Sequence, residues 1–524
     1  MATTEIEPTT TTVQRRRPPT MREWLTPAIP GHPLLGWIGP LLVTAFAAFL
    51  RFDRLANPTA VVFDETYYAK DALALLKYGY EHNTVKGADG ILIHEGAQAG
   101  NRIWADGASF VAHPPAGKWM IALGEWIFGA TPFGWRFMAA LVGSLSVLIL
   151  CRVGRRMTGS TLLGCAGGLL LAVDGLHLVT SRTALLDIFV MFWILAGFAC
   201  LVADRDRSRA TLVAKLRPYD DGAGLGPFVF HGWRILAGLC LGLACATKWT
   251  GVFYLAAFGI MAVVWDLGAR RAARVPRPYA GTLLLDAVPA FLSLVVVAVI
   301  TYVASWWGWI FNSGGWGRGK IADNVLMRPF EAMPDLWRYH TGVWNFHTTL
   351  HAKHPYQSWP WDWPILHRPV AFFYTESKSG CGAAKCSREI LGIGTPVIWW
   401  GALVALLLLV VVWLRRRDWR AGAILVGYLA GWVPWFYYAV DKRTMFLFYA
   451  TPMLPFMVLA IVVCLGMLIG PARDTGPRRA LGTAAAGAYV LVALANFLWF
   501  YPVLTAKVIP YDTWREIVRF HSWI

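Results

Sequence analysis

The chain has 524 residues, of which 56% are hydrophobic and 15% charged, and it carries a net charge of +17. Soluble domains hold roughly a quarter charged residues, so this composition excludes a single water-soluble core and points to a membrane protein. The positive charge does not mark a nucleic-acid partner, because the arginines form short clusters between apolar runs: Arg15–Arg17, Arg152/Arg155/Arg156, Arg205/Arg207/Arg209, Arg270/Arg271/Arg274, Arg415–Arg417 and Arg478/Arg479. Such clusters are the signature of cytoplasmic loops.

Residues 1–34 open with MATTEIEPTTTTVQRRRPP, which has no apolar core next to a cleavage site and is rich in Thr and Pro. They read as a disordered cytoplasmic tail, not as a signal peptide. The remainder, 35–524, reads as one all-α polytopic membrane domain with eleven spans: 35–52, 133–152, 160–178, 184–203, 233–247, 250–266, 283–305, 395–414, 421–438, 446–469 and 482–502. Several of these runs reach the ~20 residues that cross a bilayer as helix. The fifth and sixth are short and joined by KWTG, in the manner of a hairpin. The basic clusters put the N-terminus inside and, with eleven spans, the C-terminus outside. Two long loops, 53–132 and 306–394, then fall on the outer side. The first contains two predicted amphipathic helices, 64–79 and 115–128. The second is rich in Trp, which suits either a membrane-boundary belt or a surface that stacks on a sugar.

Within the first loop, VVFDETYYAKDAL places Asp64 and Glu65 beside the end of the first span. Asp64 is a candidate helix N-cap and Glu65 a first-turn anion. A carboxylate next to hydrocarbon is costly unless it meets water, a cation or a substrate. Asp64, Tyr67, Tyr68 and Asp71 are expected on one polar helix face. In AHPPAGKWMIALGEWIFG, Pro114 and Pro115 open the second helix. Its Lys118 either snorkels to water or holds a phosphate at the lipid surface, and His113 reads as a helix-entry or hydrogen-bonding residue, a lone His being weak evidence for a metal. In SRTALLD, Arg182 and Asp187 are five residues apart, so each is expected to find a partner elsewhere. Lys248 in ATKWTG, Arg443 in DKRTMFLFYATP and Arg136 in GWRF lie in the same outer layer. That layer suits an anionic lipid headgroup, as it also suits ordinary anchoring. Six of the eight cysteines lie in apolar runs; Cys381 and Cys386 lie in SGCGAAKCSRE. A disulfide there is compatible with an external loop, and spacing alone leaves it open. No P-loop, Rossmann fingerprint, HExxH or paired CxxC is present. The sequence requires no cofactor and leaves the use of a divalent metal open.

Seven of these segments, FDETYYAKDA (63–72), HPPAGKW (113–119), GWRF (134–137), SRTALLD (181–187), TKWTG (247–251), HPYQSWPWDWPILHRPV (354–370) and RTMFLFYATP (443–452), occur in the order of the protein O-mannosyltransferase family. The chain resembles that family in an actinobacterial version. The resemblance implies the GT-C architecture and transfer of mannose from polyprenyl-phosphate mannose to Ser or Thr of proteins crossing the cell membrane. It implies inversion at the sugar carbon and a site on the outer face. It also implies Asp64 as catalytic base with Glu65 as the second acid, and it matches Arg136, Lys118, Lys248 and Arg443 to basic positions of the motifs. On that footing Glu65 is expected to orient the base or the acceptor, and Arg136, Lys118 and Arg443, with Lys248 a weaker candidate, to hold the donor phosphate. Fungal and animal members carry a β-trefoil in the second large external loop; 306–394 is too short for one. Two other readings stand beside this one. A related GT-C enzyme would move another lipid-linked sugar to a lipid or glycan. A secondary transporter would predict internal pseudo-symmetry and broken polar helices, neither of which is evident in the sequence.

Overall fold

The structure is a computed structural model and describes residues 34–96, 100–216, 224–471 and 476–524. The expected cytoplasmic tail lies outside the described residues apart from Leu34. The chain enters with α1 (Leu35–Phe52), whose Trp37, Leu41, Leu42 and Phe49 are exposed as a lipid-facing stripe would be. The first long loop folds into α2 (Glu65–Tyr78), β1 (His82–Thr84), α3 (Ala88–Glu95), β2 (Trp104–Ala108) and α4 (Ala116–Phe128). Thus α2 and α4 match the two predicted helices within a residue, while the antiparallel β1–β2 pair has no counterpart in the expectation. Thr131 caps α5 (Pro132–Thr158) by accepting from Gly134 N at 3.2 Å. A methyl on Gly124 would approach Gly134 O to 2.4 Å, so α4 and α5 meet backbone to backbone, and only glycine permits that approach.

The predicted third span, 160–178, is broken. It forms α6 (Thr161–Ala172) and α7 (Gly175–Thr180), interrupted at Val173–Asp174. Asp174 causes the break: one carboxylate oxygen caps α7 at His177 N (3.0 Å), and the other accepts from Thr395 N (3.1 Å) and Trp399 Nε1 (2.9 Å). Then follow α8 (Leu186–Leu216), α9 (Gly232–Cys245), α10 (Gly251–Ala272) and α11 (Pro278–Ser305). The second loop holds α12 (Trp307–Phe311), α13 (Arg328–Thr349), β3 (Val370–Ser377) and β4 (Cys386–Gly392). The bundle closes with α14 (Pro396–Arg416), α15 (Trp419–Val440), α16 (Leu447–Ile469) and α17 (Pro477–Leu504), then β5 (Ile509–Pro510) and α18 (Tyr511–Ile517). Among the described residues, eight helices are long and apolar enough to cross a membrane, and α1, α6 and α9 are shorter apolar helices.

The helix directions sort the polar residues. Arg155 and Arg156 end α5, Arg205–Arg209 fall late in α8, Arg270 and Arg271 end α10, and Arg415 and Arg416 end α14. Cross-contacts gather them at one end: Arg152 donates to Gly36 O (2.6 Å), Arg156 pairs with Asp206 (3.5 Å), and Arg205 stacks on Trp419 (3.7 Å). The two long loops gather at the other end. Tyr339 of α13 donates to Val111 O (3.0 Å) and accepts from Val111 N (3.1 Å). The β3–β4 hairpin carries the Cys381–Cys386 disulfide at its tip, and β5 adds to its edge through Ser387↔Ile509.

Candidate active site

Asp64 immediately precedes α2, but its side chain makes no capping bond. Among the described residues its carboxylate has no hydrogen-bond or ion-pair partner. The residue before it, Phe63, holds a φ of +49°, a strained value for a bulky side chain. Four aromatic partners hold it there: Phe372 stacked at 4.9 Å, with Phe448, Phe446 and His354 edge-on at 5.7, 6.2 and 6.4 Å. Three distant chain segments thus set the backbone from which Asp64 projects. Burial pushes its carboxyl up to about 6, against the pull of Lys248 and with a further push from Asp187.

Glu65 behaves oppositely. It is fully buried and saturated. It accepts from Arg136 Nε (2.8 Å) and Nη2 (2.8 Å), from Val62 N (2.9 Å) and from Ala184 N (3.0 Å). Arg136 spends its remaining donors on the carbonyls of Leu55, Pro58 and Ala60. This corrects two expectations: neither Glu65 nor Arg136 has a free group to offer a substrate. The pair instead clamps the start of α2 to α5 and to the 55–60 turn. On the expected shared face of α2, Tyr67 is exposed whereas Tyr68 is buried.

A cavity of about 440 Å³ is lined by His113, Asp187, Lys248, His347 and Arg443 on its polar side; Asp64 is not part of that lining but lies within electrostatic reach of its Lys248 and Asp187. Lys248 Nζ donates to Asp187 Oδ2 at 2.7 Å and lies 5.2 Å from the Tyr449 ring. Arg443 is buried and, among the described residues, has no carboxylate partner. Its Nε donates to His347 O (3.0 Å), and its Nη2 lies 3.1 Å from His347 Nδ1. A guanidinium only donates, so His347 Nδ1 accepts and its Nε2–H donates to Ala112 O (3.0 Å). Burial and Arg443 together push His347 down to about 4. His113 stands 5.3 Å from it, centroid to centroid, and is driven well below the usual imidazole range by burial and then by Lys248. Both imidazoles are therefore neutral, and an unpaired guanidinium in a largely apolar cavity is an anion site. Most of the remaining lining is apolar or aromatic, including Val252, Phe253, Leu255, Val299 and Trp344. Val252 and Val299 are half exposed on the outer faces of α10 and α11.

Two further candidates are placed away from this cavity. Lys118 is buried between Glu81 and Asp71, the latter at 3.9 Å, so it neither snorkels nor reaches a phosphate. Arg182 Nη1 donates to the carbonyls of Leu50 (2.9 Å), Arg51 (2.9 Å) and Asp53 (2.8 Å). It closes the C-terminal end of α1, whose last carbonyls lack helical partners. Sequence reasoning missed His340, His347 and Tyr449, which all line the cavity. The seven-residue spacing of the two histidines on α13 was the available signal.

A lone carboxylate beside a cationic, mostly apolar cavity at one end of a helical membrane bundle has the layout of a membrane enzyme that handles a lipid-borne anion. Residues 41–306 match the family described as dolichyl-phosphate-mannose-protein mannosyltransferase. Residues 332–523 match the C-terminal four-transmembrane region of protein O-mannosyltransferase. The polyprenol-phosphate-mannose–protein mannosyltransferase of Mycolicibacterium smegmatis is 38% identical over 506 residues, covering 93% of both chains. That of Mycobacterium tuberculosis is 38% identical over 505 residues, covering 94% of this chain and 92% of its own. The donor-bound Saccharomyces cerevisiae Pmt1–Pmt2 complex shares the fold with a TM-score of 0.72 at 14% identity, covering 95% of this chain and 93% of that one. The chain belongs to the protein O-mannosyltransferase family.

Proposed function

We propose that the chain transfers mannose from a polyprenyl-phosphate mannose to Ser or Thr hydroxyls of secreted proteins, at the extracytoplasmic face of the cell membrane, with inversion at the anomeric carbon. The observation that carries this reading is an unpartnered Asp64 carboxylate within electrostatic reach of Lys248 and Asp187, which line the same cavity as the Arg443 guanidinium. Family membership and the names of the relatives support the donor and the acceptor class. The Arg clusters at the opposite end of the bundle support a cytoplasmic assignment for that end.

In the proposed reaction Asp64 takes the proton of the acceptor hydroxyl as its oxygen attacks the mannose C1. The C1–O bond to phosphate breaks, and the electron pair leaves with the phosphate. A phosphate leaving group needs little protonation, so a single base suffices and the two-carboxylate device of hydrolases is not required. Arg443 faces the charge that grows on the phosphate, with Lys248, held by Asp187, as a second cation. The apolar lining toward Val252 and Val299 accommodates the start of the prenyl chain, while the phosphate stays at headgroup level.

The deciding experiment supplies purified protein with labelled polyprenyl-phosphate mannose and a Thr/Pro-rich peptide. Stoichiometric labelling of the peptide with inverted anomeric configuration is expected. Labelling of lipid or glycan acceptors in place of the peptide would overturn the proposal.

A further inference from the structure

At the far end of the bundle, four chain segments converge on a second buried cluster. Asp204 comes from α8, His231 and Arg234 from the start of α9, Asp266 and Arg270 from α10, and Asp286 from α11. Both α8 and α10 begin beside the catalytic cavity, at Asp187 and Thr250. They reach the cluster after about 25 Å of helix at 1.5 Å per residue. All three acids, His231 and both arginines are buried.

The hydrogen bonds assign the state of the histidine. Its Nδ1 lies 2.8 Å from Asp204 Oδ2, a carboxylate also held by Arg234 Nη2 at 2.8 Å. An ionised carboxylate only accepts, so Nδ1 carries a proton, and in the neutral imidazole Nε2 then carries the lone pair. Nε2 is buried and has no hydrogen-bond partner. His231 borders a small cavity of about 10 Å³ together with Asp266, Asp286, Ser208 and Arg270, which is room for about one atom-sized occupant. One ring nitrogen of His231 and one oxygen each of Asp266 and Asp286 all lie within 4.8 Å of one another. Donors about 2.1 Å from one ion stand up to about 4.2 Å apart, so small side-chain shifts bring the three onto a common centre. A proton on Nε2 would have no acceptor there. A cation at the centre would touch all three donors.

The surroundings orient the donors as known metal sites do. A carboxylate on the far nitrogen of a ligating imidazole sets its tautomer and raises its basicity. Arg270 grips Asp286 through Nε (2.6 Å) and Nη2 (2.8 Å). Arg234 grips Asp266, with Nη1 at 2.9 Å from Oδ2. Each carboxylate oxygen retains a second lone pair for another partner. Three carboxylates are in direct contact with only two guanidiniums, and Arg209 acts on Asp266 from farther away. We propose that His231, Asp266 and Asp286 bind one divalent transition-metal ion of the zinc or manganese class, which ties α9, α10 and α11 together at the end remote from catalysis. The imidazole selects against magnesium and calcium, which prefer all-oxygen sites.

The test uses the full chain in detergent, purified through a tag that binds no metal, loaded separately with zinc, manganese and cobalt and freed of excess. Elemental analysis is expected to find about one equivalent per chain, and His231→Gln to lose it at least about tenfold, because one of only three protein ligands is gone. His231→Cys retains a ligand and is expected to keep zinc. The cobalt form is expected to show visible d–d absorption that Asp286→Asn weakens. Wild-type protein without bound metal, or equal metal content in wild type and folded His231→Gln, would overturn the proposal. If His231→Gln fails to fold, the wild-type cobalt spectrum decides: its absence is equally fatal. Peptide mannosylation is expected to survive in His231→Cys, which separates failure here from failure of the proposed activity.

Discussion

Arg136 and Glu65 face each other through two hydrogen bonds of 2.8 Å, both side chains essentially out of solvent. One acid of the Asp–Glu pair is therefore structural, and its neighbour is left free for chemistry. The division follows from helix geometry. Consecutive residues at the head of α2 point about 100° apart, so Glu65 reaches inward to α5 while Asp64 faces elsewhere, within electrostatic reach of Lys248 and Asp187.

Breaking the clamp should cost fold before it costs chemistry. Arg136→Ala leaves Glu65 as an uncompensated buried charge, an error of about 3–5 kcal/mol in comparable pairs. The expected outcome is a strongly lowered thermal midpoint in detergent. Arg136→Ala with unchanged stability and a raised donor KM would restore this arginine as a phosphate contact.

Asp64→Asn should remove transfer while sparing the fold. Loss of a positioned base typically costs 10²–10⁴-fold. Burial raises the Asp64 carboxyl to about 6, so the folded chain binds this proton more tightly than the unfolded chain does. Its contribution to stability is then present at low pH and is lost as pH rises from the usual carboxylate range through about 6. The asparagine variant should accordingly be no less stable than wild type above that window. Calorimetry and single-turnover transfer check the two halves.

The same titration sets a pH profile. Wild-type kcat/KM should fall as pH drops below about 6, approaching tenfold per pH unit as the base protonates. A profile flat from pH 5 to 8 would remove Asp64 from the proton-transfer step.

Arg443→Ala should raise KM for the lipid donor and leave peptide affinity alone, since its guanidinium lines the cavity without a carboxylate partner. Arg443→Lys should recover part of the loss, because a point charge replaces a fork that also holds His347. Donor titrations at fixed peptide measure both.

Reducing Cys381–Cys386, or replacing Cys381 by Ser, opens a short loop at a hairpin tip. Loop-closure entropy for so short a loop is worth about 2 kcal/mol. The expected change is faster proteolysis near residue 381 with mannosyl transfer unchanged.

The apolar runs made the helical bundle legible from sequence, because desolvation of the backbone demands long helices whatever the packing, and the Arg clusters foretold which charges gather at one end of it. The same holds for α2 and α4, whose opening residues and amphipathic pattern are local signals. The break at Asp174 was not legible, since its cause is Thr395 and Trp399 more than 200 residues on. Nor was the helix α13, whose apolar residues read as an aromatic belt until Tyr339 is seen bonded to Val111.

The sequence by itself determined the class of protein, the layer in which its charges lie, and the motifs that carry the family. Only the tertiary structure decided which charges are spent. Asp64, Glu65, Arg136, Lys118 and Arg443 look alike as charged residues near the bilayer surface. Glu65, Arg136 and Lys118 are neutralised by partners far along the chain, whereas Asp64 and Arg443 are not. A charge is most available to a substrate when folding leaves it unsaturated and facing a cavity, and that depends on contacts no local stretch of sequence encodes.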